Sequence, residues 1–137
     1  MRKKYKFLEH TADIKIKAYG KNLNEIFENF ALAISDYLAR GNKIKSAKKK
    51  IIKLKGDDSE SLLYSFLDEL IYLLDAENFV VAKAKVKTKD NKLEAEIYGD
   101  DASTYRDLDQ IKAATYAEMY IKRKKDKPWE AQAVLDV

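Results

Sequence analysis

The stretch FVVAKAKVKTKDNKLEAEIYG, residues 79–99, most narrows what this chain can fold into. Val80, Ala82, Ala84 and Val86 alternate with Lys83, Lys85 and Lys87, and the run turns at Asp90-Asn91 into KLEAEIYG. A period of two on either side of an Asp-Asn pair predicts a β-hairpin with one apolar and one charged face. An apolar sheet face needs cover, and two helical stripes can give it. In NLNEIFENFALAISDYLA, Leu23, Ile26, Phe27, Phe30, Ile34, Tyr37 and Leu38 share one side of a helix. Asn22 is placed to cap it, Glu25 stands in the capping-box position, and Gly41 marks its stop. In DDSESLLYSFLDELIYLLDAEN, Leu62, Leu63, Phe66, Leu67, Leu70, Ile71 and Leu74 do the same behind an acidic cap at Asp57 or Asp58.

Four more runs read as strands. DIKIKAY sets Ile14, Ile16 and Ala18 against Asp13, Lys15, Lys17 and Tyr19, and KKKIIKLKG ends on a turn glycine. KAATYAEMYIKR sets Thr115, Ala117, Met119 and Ile121 against Tyr116, Glu118 and Tyr120. WEAQAVLDV sets Trp129, Ala131, Ala133 and Leu135 against Glu130, Gln132 and Asp136. The order strand-helix-strand-helix followed by four strands predicts an α+β fold, a mostly antiparallel sheet with two helices packed on it. Such packing leaves the other sheet face, or one edge, for a partner.

The 137 residues, 46% of them hydrophobic, with four glycines and one proline, suit one domain spanning 1–137 with neither linker nor repeat. Cysteine is absent, which removes disulfides, thiolate zinc sites and a cysteine nucleophile. The isolated glycines at 20, 41, 56 and 99 build no phosphate-cradling loop. MRKKYKFLEH lacks the ~7–15 apolar residues of a signal peptide, and no stretch nears the ~20 that span a membrane. A soluble cytoplasmic protein without membrane contact is expected.

Net charge is +4, with 36% charged residues of mixed sign. Two basic runs, Lys48-Lys49-Lys50 and Lys122-Arg123-Lys124-Lys125, read either as solvated strand ends or as RNA contacts with Tyr116 and Tyr120 available for stacking. Trp129, on the apolar face of its run, reads as core. His10, the single histidine, reads as structural, or as the general base of a metal-dependent hydrolase that would turn over alone.

Oxygen chemistry remains. Asp13 opens the first alternating run and Asp136 all but closes the last, both on polar faces. If those strands lie side by side and antiparallel, the two carboxylates emerge together and repel unless a cation sits between them. The carboxylate on Val137 adds further oxygens, a set that suits a hard divalent ion. The same aspartates also read as turn formers or solvated charges.

Four segments, EHTADI, LLYSFLDELIYLL, IKAATYAEMYI and WEAQAVLDV, in that order and spacing, resemble the archease family over essentially the whole chain. The resemblance implies a protein cofactor, not an enzyme, of the RtcB-type RNA ligase that joins tRNA halves after intron removal. It implies promotion of ligase guanylylation and of repeated turnover, and an ability to broaden the choice of nucleoside triphosphate; tRNA contact within the complex is left open. It also implies a divalent ion, calcium first and magnesium or manganese as alternatives, held by Asp13, Asp136 and the main-chain or terminal oxygens of Val137, with no catalytic residue on this chain. One position departs: the family commonly has histidine where this chain has Ala117. That reads either as a lost support for metal or ligase, or as a packing change on the face shared with Met119 and Ile121.

Overall fold

The structure, a computed structural model, describes residues 3–9 and 12–137, with Glu9 through its backbone alone. In chain order it contains β1 (Tyr5–Glu9), β2 (Asp13–Gly20), α1 (Leu23–Ala39), β3 (Lys48–Lys55), α2 (Ser59–Glu77), β4 (Phe79–Lys89) and β5 (Lys92–Asp101). A 3-10 turn at Ala102–Thr104 leads to β6 (Ala113–Ala114), β7 (Tyr120–Lys122) and β8 (Trp129–Asp136). All strand pairs among the described residues are antiparallel, so the α+β class expected from the sequence holds.

The strands form two sheets where the sequence suggested one. In the first, β1, β2 and β8 lie in order, and both β6 and β7 join the far edge of β8; in the second the order is β3-β5-β4. Alternation fixes which face of a strand is apolar but not which strand it meets. Two elements also differ from the sequence reading. β1 is an added strand: Tyr5 and Phe7 stand opposite Ala18 and Ile16, but Leu8 falls on the other face and blurs the period. The run KAATYAEMYIKR yields two short strands because Glu118 adopts φ 53° and the Met119 N–H closes a turn onto the Tyr116 carbonyl.

Both helices begin and end on local chemistry. The Asn22 side chain accepts the Glu25 N–H at 3.0 Å, while Glu25 Oε1 takes the Lys21 N–H, one residue earlier than a capping box requires. Arg40 and Gly41 then turn left-handed, at φ 52° and 82°, and stop α1. α2 opens on a full capping box between Asp58 and Ser61. α1 packs on β2 and β4 and α2 on β3 and β4. The rings of Phe27 and Phe66 join the helices edge to face at 5.3 Å. Leu62, Leu63, Phe66, Leu67 and Leu70 are buried as the stripe predicts, with Leu73 rather than Leu74 completing it.

α1 also protects a sheet edge. The N–H groups of Val86 and Thr88, on the open side of β4, donate to Glu28 Oε2 at 2.8 Å and to Asn24 Oδ1 at 2.9 Å. β4 returns as β5 through Asp90 and Asn91 at φ 53° and 59°, the backbone of a type I′ turn. Gly99 faces the bulge in β4, where a Cβ would lie 2.1 Å from the Val80 carbonyl oxygen. The helices cover the face of this sheet that carries Ile52, Val86, Leu93, Ala95 and Ile97. Its other face presents Lys49, Ile51, Lys53 and Lys55 of β3, Lys92, Glu94, Glu96 and Tyr98 of β5, and Lys83, Lys85, Lys87 and Lys89 of β4. No helix among the described residues is long and apolar enough to cross a membrane.

Candidate metal centre

β2 and β8 are near-continuous partners, from Asp13 opposite Asp136 to Gly20 opposite Trp129. Ile14, Ile16 and Ala18 meet Leu135, Ala133 and Ala131 on the core side, which forces Asp13 and Asp136 together onto the other face. The Val137 N–H donates to the Ala12 carbonyl. Residues 12 and 137 are therefore the hydrogen-bonded pair, and Asp13 and Asp136 the non-hydrogen-bonded pair beside it. In that geometry the Cα atoms are ~4.5 Å apart and the side chains at their closest. Asp136 points its own backbone toward β6, where its carbonyl accepts the Lys112 N–H at 2.8 Å.

The two carboxylates differ in setting. Oδ1 of Asp13 is shielded from solvent, whereas Asp136 is exposed and Val137 half-buried. Next to them the segment 115–119 folds over the outer face of β8. The Thr115 hydroxyl donates to the Val134 carbonyl and Gln132 Nε2 to the Glu118 carbonyl, both at 2.8 Å, and Val134 and Gln132 are buried beneath. Glu118 also draws in Lys15, the nearest cation on the Asp13 face of β2, at 2.9 Å. Sequence reading missed this roof, because the Lys15–Glu118 pair spans 103 positions and the alternation hides the turn.

Ala117 sits exposed on the roof, its N–H bound to Thr115 Oγ1 at 3.2 Å. It does not share a packed face with Met119 and Ile121, so a packing role for this position is set aside. His10 and Thr11 lie outside the described residues. Trp129 is half-buried and packs against the core with Arg123 over its ring. At the far end of the same outer face the Tyr120 hydroxyl donates to Glu130 Oε2. That bond holds the Glu130 carboxyl below its usual range, and burial together with Glu130 raises the Tyr120 phenol.

As a donor set the strand end is all oxygen, with two carboxylates able to offer up to four atoms. No third histidine, cysteine or acidic side chain joins them among the described residues. A divalent ion there would complete its shell from main-chain oxygens, those of Val137 being the nearest in sequence, and from water. Such a partial set suits a hard cation and does not suit zinc or copper.

The chain is a two-sheet α+β protein whose opening and closing strands bring two aspartates face to face. The archease protein family matches residues 5–137. Protein archease of Pyrococcus furiosus is 42% identical over 141 residues, covering 98% of this chain and 99% of that protein. Protein archease of Sulfurisphaera tokodaii is 37% identical over 88% of this chain and 90% of its own length. The solution structure of Methanobacterium thermoautotrophicum protein 1598 superposes with a TM-score of 0.78 at 30% identity, covering 98% of this chain and 99% of that one. The chain belongs to the archease family. It is accordingly a non-catalytic protein cofactor, and its partner is the RtcB-type RNA ligase.

Proposed function

We propose that this protein promotes guanylylation and multiple turnover of its RtcB-type ligase in the cytoplasm, and broadens the nucleoside triphosphates the ligase accepts, through an acidic tip. Asp13, Asp136 and the oxygens of Val137 hold a divalent cation there, calcium being the best suited and magnesium or manganese the alternatives. The observation that carries the reading is the register that sets Asp13 opposite Asp136. A cation at such a tip supplies charge screening of the kind phosphoryl transfer needs. The chain's own residues bind and orient. The two carboxylates fix the cation-binding end, and the Lys15–Glu118 bridge keeps the adjacent lysine from occupying it. The ligase performs the chemistry, and this protein shifts it only by binding one of its states more tightly than another.

The test is a multiple-turnover ligation assay with a catalytic amount of cognate ligase and added divalent ion. Asp13→Ala and Asp136→Ala should each abolish the stimulation given by the unmodified protein while their melting curves stay cooperative. Full stimulation by both variants would refute the tip.

A further inference from the structure

The uncovered face of the β3-β5-β4 sheet carries eight lysines against two glutamates, a net of +6 on a chain whose total is +4. The rest of the molecule is thus slightly acidic, and the positive charge is gathered here. The two basic runs of the sequence do not reveal this. Lys50 of the first leaves the face to pair with Glu77 and lie over Phe79, and Lys122 of the second lies over the Tyr120 ring at 4.2 Å.

Alternation builds the face instead. Lys83, Lys85, Lys87 and Lys89 recur along β4 at ~6.8 Å intervals. Lys53 and Lys55 form a second row across β5, about 9.6 Å away at two strand spacings. At the hairpin end Lys55, Lys92 and Lys89 stand directly opposite one another on three strands. Like charges in facing positions destabilise a sheet. That row therefore works against folding, as expected of a surface kept for an anionic ligand. That end of the sheet also borders a depression of about 930 Å³, where these lysines are joined by Asp90 and Glu94 and, from the covered side, by Asn24, Thr88, Leu54 and Leu93.

We propose that this face binds the phosphate backbone of RNA without reading its sequence. Every cation on it is lysine, a compact point charge suited to single phosphates, and none is arginine, the residue that reads bases bidentately and anchors protein interfaces. Its one aromatic, Tyr98, is half-buried and tied to Glu96 at 2.8 Å with Lys83 above its ring, so phosphate contact rather than base stacking is the binding mode. The choice of RNA among polyanions rests on the ligase partnership; the placement of the site does not.

The test is fluorescence anisotropy of a labelled 20-nucleotide poly(U) RNA with this protein alone, titrated across salt concentrations. The expected log–log salt slope is about −3 to −4, from ~0.7 per phosphate neutralised on a single strand. The variant Lys53→Gln/Lys55→Gln/Lys85→Gln/Lys87→Gln should bind at least tenfold more weakly and flatten the slope by about 3, while its melt stays cooperative. Lys122→Gln/Lys124→Gln should stay within twofold of the parent. Equal losses in both variants, no binding at 50 mM salt, or polyglutamate displacing the RNA at equal charge concentration would each overturn the proposal. Ligase is absent from the assay, so such a failure leaves the acidic-tip reading standing, and failure of that reading leaves this result intact.

Discussion

Replacing Asp136 with asparagine should change stability with opposite sign in the absence and presence of a divalent cation. Asp13 and Asp136 are a directly opposed, non-hydrogen-bonded cross-strand pair, and the nearest lysine on that face of β2 is engaged by Glu118. Like charges facing each other across a sheet destabilise it, by up to ~1 kcal/mol. In chelator, Asp136→Asn keeps the shape of the side chain, removes that repulsion, and should raise the melting temperature by ~3 °C for a domain of this size. With calcium at a hundred times its dissociation constant the parent gains ~2.7 kcal/mol, or ~8–10 °C. The variant, with half of the carboxylate oxygens gone, gains little. The parent is then the more stable of the two. The assay is a pair of calorimetric melts, with chelator and with excess calcium, repeated with magnesium and manganese. A parent melt insensitive to all three ions, or a variant that keeps the whole shift, would show that the opposed carboxylates do not form a cation site.

Other expectations rest on single contacts. Glu28→Ala strips the acceptor from the Val86 N–H on the edge of β4 and should cost about 2 kcal/mol in urea unfolding, with increased self-association as that edge opens. Gly99→Ala places a methyl against the Val80 carbonyl oxygen and the Phe79 ring and should cost about 3 kcal/mol. Burial first, and then the bond to Asp36, push the Tyr5 phenol up to about 12 from 10.0. A folded value above the unfolded one means stability fully present below pH 10 and lost as pH rises toward 12. Denaturant midpoints at pH 9 and pH 11 should therefore separate less in Tyr5→Phe than in the parent, and equal separation would contradict the assignment.

What could be read from the sequence was what neighbours in the chain decide. Asp90-Asn91 declares its turn because both residues tolerate positive φ, and Asn22 and Asp58 cap helices through bonds three residues away. Face parity put Asp13 and Asp136 on polar faces, and the closing strand needed only to meet the opening one for them to converge. What could not be read depends on distant partners. Leu8 follows no core-facing period, so β1 is visible only once β2 is there to pair with it. Nothing local in TYAEM announces that Tyr116 stacks on Tyr64 at 4.3 Å while Glu118 bends back to Lys15, yet these contacts break the expected strand and lay the turn over β8. The division into two sheets is also non-local. It builds the lysine-rich face mostly from alternating lysines, with Lys49 alone contributed by the two basic runs that composition makes conspicuous.

The proposed acidic tip is tested at guanylylation of the ligase. The most direct measurement is the amount of guanylylated ligase formed in one turnover with guanosine triphosphate and a divalent ion, with this protein supplied as the parent or as Asp13→Asn/Asp136→Asn. The parent should raise the yield well above that of ligase alone, and the double variant should leave it at the level of ligase alone. Equal yields with parent and double variant would mean that the cofactor acts without its paired aspartates.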